Sequence, residues 1–190
     1  MPWKGIVNRS LTPDGFAQYV ETLSFGTWRP RFVVLHNTAA PTLAQWRAGP
    51  TSAQQRILNL EAFYRDQQRW SAGPHLFIAD DLIWAFTPLT TPGVHSPSWN
   101  HVSWGVEMVG DYSREAFDQG SGMNVAANAV RALATLHMLM GLDPTTLKLH
   151  KEDPATTHDC PGRNVNKTDI ITRVQAQMAG DHPLGQVPVG

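Results

Sequence analysis

The sequence predicts an α/β fold in which a central mixed β-sheet is flanked by helices. Segments with strand patterns alternate along the chain with segments that have helical spacing, and this alternation is typical of a sheet covered by helices. Two of the eight histidines, His36 and His150, each end a predicted strand. Functional groups of such folds gather at strand ends and in the loops beyond them, so these two histidines mark the candidate site.

Short apolar runs predict the strands. "RFVVLH" is rich in β-branched and apolar residues, which is typical of a buried strand. "PHLFIADDLIWAF" is typical of two strands joined at Asp80 and Asp81. "SWGVEMVG" has the alternating residue pattern of another strand. "LKLH" is a short strand that ends at His150. The predicted strands lie at 31–36, at two places within 74–86, at 103–110 and at 147–150.

Apolar residues at helical spacing predict four helices. In the first, Asp14 is a candidate N-cap, and in the third and longest, Gly141 suits the C-terminal cap. The predicted helices lie at 13–23, 52–68, 123–141 and 166–178.

The composition indicates one globular domain. A length of 190 residues and a hydrophobic fraction of 42% are enough for one core without a stabilising disulfide or metal. We expect a single catalytic domain at 1–180 and a loose C-terminal tail at 181–190. The formal net charge of −1 argues against a nucleic-acid partner, because such proteins neutralise phosphates with excess basic charge.

The termini and the cysteine content bear on the cellular compartment. A single cysteine cannot form an internal disulfide, so the fold does not rely on oxidising conditions. The N-terminus has no apolar run of signal-peptide length, and no stretch reaches the roughly 18 apolar residues of a membrane span. We therefore expect synthesis in the cytoplasm, no stable membrane association and, without heptads, a monomer.

The segment "LHKEDPATTHDCPG" (149–162) indicates a metal site. It holds His150 and, ten positions later, the only cysteine, Cys160, just before a Pro-Gly pair. Each of these residues alone, and His36 alone, is more typical of a buried structural group. Together they match catalytic zinc sites, which take three His, Cys or carboxylate ligands and leave one position open. Spacing alone is weak evidence, because the chain has neither a CxxC pair nor HExxH.

Three motifs carry a resemblance to a known family. "FVVLHNTAAPT", "SWNHVSWGVEMVGDY" and "LHKEDPATTHDCPGRNV" together resemble the zinc-dependent N-acetylmuramoyl-L-alanine amidases of the type-2 family, which includes phage endolysins, cell-wall recycling amidases and peptidoglycan recognition proteins. The motifs occur in the family's order, and the resemblance runs from about Arg31 to Val165. It implies the amidase and peptidoglycan recognition protein fold.

The resemblance also implies the roles of five residues. His36, His150 and Cys160 would bind one Zn²⁺, and Glu107 would be the general base that takes a proton from the attacking water and passes it to the leaving nitrogen. His158 occupies a place where many members have a lysine; this departure from the pattern would make a histidine the group that stabilises the oxyanion.

Other site residues are weaker predictions. Some members have a tyrosine before the "HF" strand motif, but this chain has Pro74 there, which favours Glu107 as the catalytic group. His95, Asn37 and Trp99 are candidates for substrate contact. His95 has the alternatives of orienting Glu107 or lying on the surface.

The implied reaction is hydrolysis of the amide between N-acetylmuramic acid and L-alanine in peptidoglycan. Two cellular settings fit: a phage-type endolysin, which we favour and which acts on the wall after release, and a cytoplasmic recycling amidase for anhydro-muropeptides. A non-catalytic peptidoglycan-binding protein and a zinc amidase for an unrelated amide remain alternatives.

Overall fold

A six-stranded mixed sheet forms the centre of the molecule. The structure, a computed structural model, describes residues 2–181. The strand order is β1-β4-β3-β5-β2-β6. β3, β5, β2 and β6 run parallel to one another, whereas β4 is antiparallel to both β1 and β3. The bounds of the strands are β1 Arg9–Leu11, β2 Phe32–Asn37, β3 Leu76–Ile78, β4 Ile83–Ala85, β5 Ser103–Met108 and β6 Lys148–Leu149.

The central strands place polar groups at one edge of the sheet. β2 and β5 pair over six residues in a register that sets His36 beside Glu107, and Phe77 of β3 lies opposite Glu107 on its other side. Residues paired across parallel strands point to the same face of the sheet. The carboxyl ends of these strands therefore carry a histidine and a carboxyl group side by side.

Five α-helices surround the sheet. α4 packs against β3 and β5, and α1 and α5 pack against α4. α3 runs into a five-residue π-helical segment, Phe63–Gln67. The ring of Tyr64 in this segment stacks on Phe77, so the end of α3 covers the sheet face that carries Glu107. The helix bounds are α1 Pro13–Glu21, α2 Leu43–Arg47, α3 Ala53–Ala62, α4 Gly120–Met140 and α5 Lys167–Asp181.

The fold class is as predicted, and the differences are local. β1 and α2 were not predicted. The cap of α1 is Thr12, whose side chain accepts from the Gly15 amide, and not Asp14. Gly141 does cap α4, in the left-handed conformation with φ 62°. His150 begins a short 3-10 turn directly after β6, one residue beyond the strand that it was predicted to end.

The predicted boundary between the domain (1–180) and the tail (181–190) stays a prediction. α5 continues to Asp181, whereas residues 182–190 of the predicted tail lie outside the described residues. No helix within residues 2–181 is both long enough and apolar enough to cross a membrane.

Candidate active site

Three potential metal ligands meet at the carboxyl ends of the central strands. His36 is the penultimate residue of β2, His150 follows β6, and Cys160 lies in the loop before α5. One ligand atom from each of the three lies within 4.8 Å of the other two. The rings of His36 and His150 are tilted by 48° to each other, with centroids 4.3 Å apart. His36 thus meets two residues that lie more than 100 positions later in the sequence.

Backbone contacts hold Cys160 against β2. The Asn37 amide donates to Cys160 Sγ at 3.3 Å, and the Lys151 amide donates to the Cys160 carbonyl at 2.8 Å. Gly162 then turns the chain with φ +103°, where a Cβ atom would lie 2.4 Å from the Tyr112 carbonyl carbon. Only glycine fits both that conformation and that contact, so the Pro-Gly pair after Cys160 has a structural reason.

The cluster is electrically neutral at neutral pH. Burial, followed by the nearby charges of His95 and His150, lowers the pKa of His36 well below its ordinary value. Burial, followed by the charge of His158, lowers the pKa of His150. Burial, reinforced by the Glu107 charge, raises the pKa of the Cys160 thiol. Two neutral imidazoles and a thiol that can lose its proton form a nitrogen and sulfur donor set, which suits zinc.

Glu107 lies beside this cluster on β5. Its side chain is buried, and its Oε2 has no hydrogen-bond partner among residues 2–181. Burial raises the pKa of the carboxyl group to about 8. A carboxyl group whose pKa is raised toward neutrality can both accept and return a proton, and a nearby divalent cation would favour its ionised form.

A groove of about 530 Å³ opens next to Glu107. One wall is the loop after β2, and the other is a single face of α3 and its π-helical extension, with residues at helical spacing. Phe63 on this wall is 38% exposed, which offers an apolar surface to a ligand. The groove is lined by Asn37, Thr38, Ala39, Ala40, Pro41, Arg56, Asn59, Leu60, Phe63, Tyr64 and Glu107.

Tyr64 is a site residue that the sequence reasoning missed. Its ring stacks on Trp70 with centroids 5.1 Å apart and lies edge-on to Phe86. Its hydroxyl makes no hydrogen bond within the part of the chain that the structure describes, although the residue lines the groove with Glu107. Burial and the charges of Glu107 and Cys160 raise its pKa. The phenol is therefore a fixed, protonated donor beside the cluster.

A family comparison shows to which family the chain belongs. A family described as N-acetylmuramoyl-L-alanine amidase matches residues 26–163, which is most of the chain and includes all three potential ligands and Glu107. The chain belongs to this amidase family. The resemblance carried by the three sequence motifs is thereby confirmed. No curated protein sequence matches the chain.

Solved amidase and recognition-protein structures share the fold. The endolysin N-acetylmuramoyl-L-alanine amidase LysCS from Clostridium intestinale is 20% identical, with a TM-score of 0.60 over 81% of this chain and 92% of that one. Drosophila recognition protein PGRP-LB is 18% identical, with a TM-score of 0.59 over 89% and 91%. PGRP-SD from Drosophila is 22% identical, with a TM-score of 0.59 over 75% and 79%. These similarities confirm the amidase-like architecture.

The remaining predicted site residues lie at different distances from the cluster. His158 is exposed and stacks on His150, with centroids 5.8 Å apart. Asn37 lines the groove, and its side chain donates to the Gly110 carbonyl. Their predicted roles remain predictions.

His95 and Trp99 do not line the groove. His95 is buried behind His36, with His95 Nδ1 3.2 Å from His36 Nε2. Trp99 packs edge-on against Phe32, with centroids 5.6 Å apart, at the start of β2. That is the end of the strand opposite to His36. Substrate contact by either residue remains a prediction.

Proposed function

We propose that this protein is a zinc-dependent N-acetylmuramoyl-L-alanine amidase that cleaves the amide bond between N-acetylmuramic acid and L-alanine in peptidoglycan. The observation that supports this function best is the convergence of His36, His150 and Cys160 within 4.8 Å, beside a buried carboxyl group and an open groove. Family membership supports the same reaction.

The donor set fits a zinc ion. Two histidine nitrogens and one thiolate are ligands that zinc prefers, and three protein ligands leave a position for water or substrate. When bound, zinc supplies a Lewis acid that polarises the amide carbonyl and makes water acidic enough to attack at neutral pH. The Cys160 thiol must lose its proton for this, and the Asn37 amide that points at Sγ favours the thiolate.

The protein's own groups then move the protons. Glu107 takes a proton from the attacking water as the new carbon–oxygen bond forms at the amide carbonyl. It delivers that proton to the leaving nitrogen as the carbon–nitrogen bond breaks, which leaves a carboxylic acid on the lactyl group and a free L-alanine amine. Its raised pKa suits both transfers.

Two hydrogen-bond donors are candidates for contact with the carbonyl oxygen of the scissile amide. Tyr64 presents a hydroxyl with no acceptor among the described residues, in the groove that Glu107 shares. His158, which stacks on His150, is the second candidate. Either group stabilises the negative charge that develops on the oxygen in the transition state.

The groove wall suits the peptide side of the substrate. It combines the apolar surface of Phe63 and Leu60 with the polar groups of Asn59 and Arg56. A peptide in this groove would present its first amide to Glu107. We further propose that the protein acts on intact cell wall as an endolysin and that it works as a monomer.

Mass spectrometry of material released from purified Gram-negative sacculi tests the function. We expect stem peptides with a free L-alanine amine, lost on chelation and restored by zinc. Glycosidase-type products would contradict the amidase assignment. Release only from soluble anhydro-muropeptides would replace the endolysin role with a recycling role. Binding without cleavage would replace the enzyme with a recognition protein.

A further inference from the structure

His95 belongs to a chain of hydrogen bonds that starts at a metal ligand and ends at a backbone carbonyl. His36 Nε2 lies 3.2 Å from His95 Nδ1, and His95 Nε2 lies 3.4 Å from the Ser103 carbonyl oxygen. Both rings are buried, with 1% and 6% of their surfaces exposed. Each contact therefore joins groups that have no access to bulk water as an alternative partner.

The direction of these bonds follows from the chemistry of the last acceptor. A carbonyl oxygen has lone pairs and no proton, so His95 Nε2 must carry a hydrogen and donate it to Ser103. In a neutral imidazole the other nitrogen is then bare, and His95 Nδ1 accepts. His36 Nε2 must in turn carry a hydrogen and donate it to His95, which leaves His36 Nδ1 as the bare nitrogen.

We infer that His95 is a positioning residue that fixes the tautomer of His36, so that Nδ1 of His36 is the atom that binds the metal. The inference rests on the metal site of the proposed function. Metal-binding histidines are commonly held by a hydrogen bond from their other ring nitrogen, usually to a carboxylate, carbonyl or water. Here the acceptor is a second imidazole, and a backbone carbonyl fixes that imidazole in turn.

Hydrogen bonds and a glycine on β5 hold His95 in this position. The side chain of Asn100 accepts from the amides of both His95 and Ser96, and Asp153 accepts from the Ser96 hydroxyl. On β5, a Cβ atom at Gly105 would lie 2.3 Å from His95 Cγ. The absence of a side chain at Gly105 is therefore what lets the imidazole lie against the strand and reach His36.

A neighbouring histidine shows that this arrangement is specific. His75 accepts from the Gly105 amide through Nδ1, at 3.0 Å, and its Nε2 lies 3.0 Å from the Thr91 carbonyl oxygen. It is equally buried and contacts no metal ligand through these two bonds. Of His75 and His95, only His95 makes a hydrogen bond to His36 within the described residues.

Nitrogen-15 NMR of the imidazole rings in the metal-free wild-type protein tests the inference directly. We expect His36 and His95 each to carry a single proton on Nε2. A proton on Nδ1 of His36, or an equal mixture of the two tautomers, would overturn it. This measurement needs neither zinc nor substrate, so it separates failure of the inference from failure of the proposed function.

A matched pair of variants tests the consequence for zinc. An asparagine side chain reaches the position of a histidine Nδ1, whereas a glutamine side chain reaches that of Nε2. His95→Asn keeps an acceptor for His36, and His95→Gln does not. We expect His95→Gln to lower zinc affinity about 10–100-fold, measured by competition with a chelator, and His95→Asn to retain most of it. Equal losses in both variants, or none in His95→Gln, would overturn the inference.

One further variant repeats the test at a second position, and another is its control. Gly105→Ala keeps the histidine at position 95 but adds a methyl group that pushes its ring away from β5. It should therefore lower zinc affinity as His95→Gln does. His101→Gln changes an exposed histidine in the same loop and should leave the affinity unchanged. Urea unfolding of the chelated proteins identifies any variant that has lost its fold, and the NMR result on the wild type stands independently of all four.

Discussion

Replacing Glu107 with glutamine should slow catalysis by orders of magnitude and also stabilise the metal-free protein. Glutamine keeps the size of the side chain but cannot take a proton at neutral pH. A positioned general base contributes about 10²–10⁴-fold to a rate. We expect kcat/KM to fall by about that factor, which is about 3–5 kcal/mol of transition-state stabilisation, while zinc binding is kept.

The gain in stability follows from the burial of the carboxyl group. Burial raises the pKa of Glu107 from 4.5 to about 8, and each unit of pKa is worth about 1.36 kcal/mol. Ionising this group in the folded protein therefore costs about 4–5 kcal/mol. The folded state binds more protons than the unfolded state between these two pKa values. The wild type thus loses stability as pH rises through this interval.

Urea unfolding of both chelated proteins, at about pH 5 and about pH 8, measures this difference. The free energy of unfolding of Glu107→Gln should exceed that of the wild type at both pH values, with the larger gap at the higher pH. Glu21→Gln, at an exposed position on α1, is the control and should change neither activity nor stability. Unchanged turnover in Glu107→Gln, or a gap that does not grow with pH, would refute the reasoning.

Three further variants test the site and its surroundings. Tyr64→Phe keeps the stacked ring but removes the donor, so kcat should fall at least about tenfold at an unchanged melting temperature; full activity in steady-state assays would exclude a catalytic role. Cys160→Ser removes the thiolate, so zinc content measured by mass spectrometry should fall well below one ion per chain; full occupancy would remove Cys160 from the ligand set. Burial opposes ionisation of Asp153, but hydrogen bonds from Ser96 and Ser98 outweigh it and lower its pKa from 3.8 to about 2. The resulting stability is present above about pH 4 and lost as pH falls toward 2. In acid unfolding, Asp153→Asn should not show this loss of stability between about pH 4 and pH 2. A variant whose stability falls with pH as in the wild type would contradict this role of Asp153.

The strong local patterns of the sequence predicted the central parts of the fold. The apolar run before His36 forms β2, and Gly141 ends the longest helix in the left-handed conformation that its residue type allows. The ligand cluster was predicted from the family resemblance, because the spacing of His36, His150 and Cys160 alone is weak evidence. Parallel pairing of β2 with β6 then brings the two histidines to one edge.

Features that depend on tertiary contact were not predictable. β1 spans three residues and is held by pairing with β4 rather than by its own pattern. α2 has only five residues and depends on its cap at Thr42. The apolar spacing predicted one regular helix at 52–68, which includes Tyr64. The structure instead has a π-helical segment at Phe63–Gln67, and the sequence carries no local signal for that change of helix type.

The place of His95 also lay beyond sequence reasoning. A histidine in a loop can face solvent, substrate or core, and the sequence around His95 does not indicate which of these applies. The choice depends on Gly105, which lies on a different element and leaves the space that the ring fills. A glycine within a strand pattern is a general signal for close approach of another group, but it does not identify the group.

Zinc-edge X-ray absorption spectroscopy on the reconstituted protein tests the central claim most directly. The claim is that His36, His150 and Cys160 form one metal centre. It predicts one zinc ion per chain, with one sulfur at about 2.3 Å and two imidazole nitrogens at about 2.0–2.1 Å. A shell without sulfur, a shell with two sulfurs, or a protein that retains no zinc would contradict it.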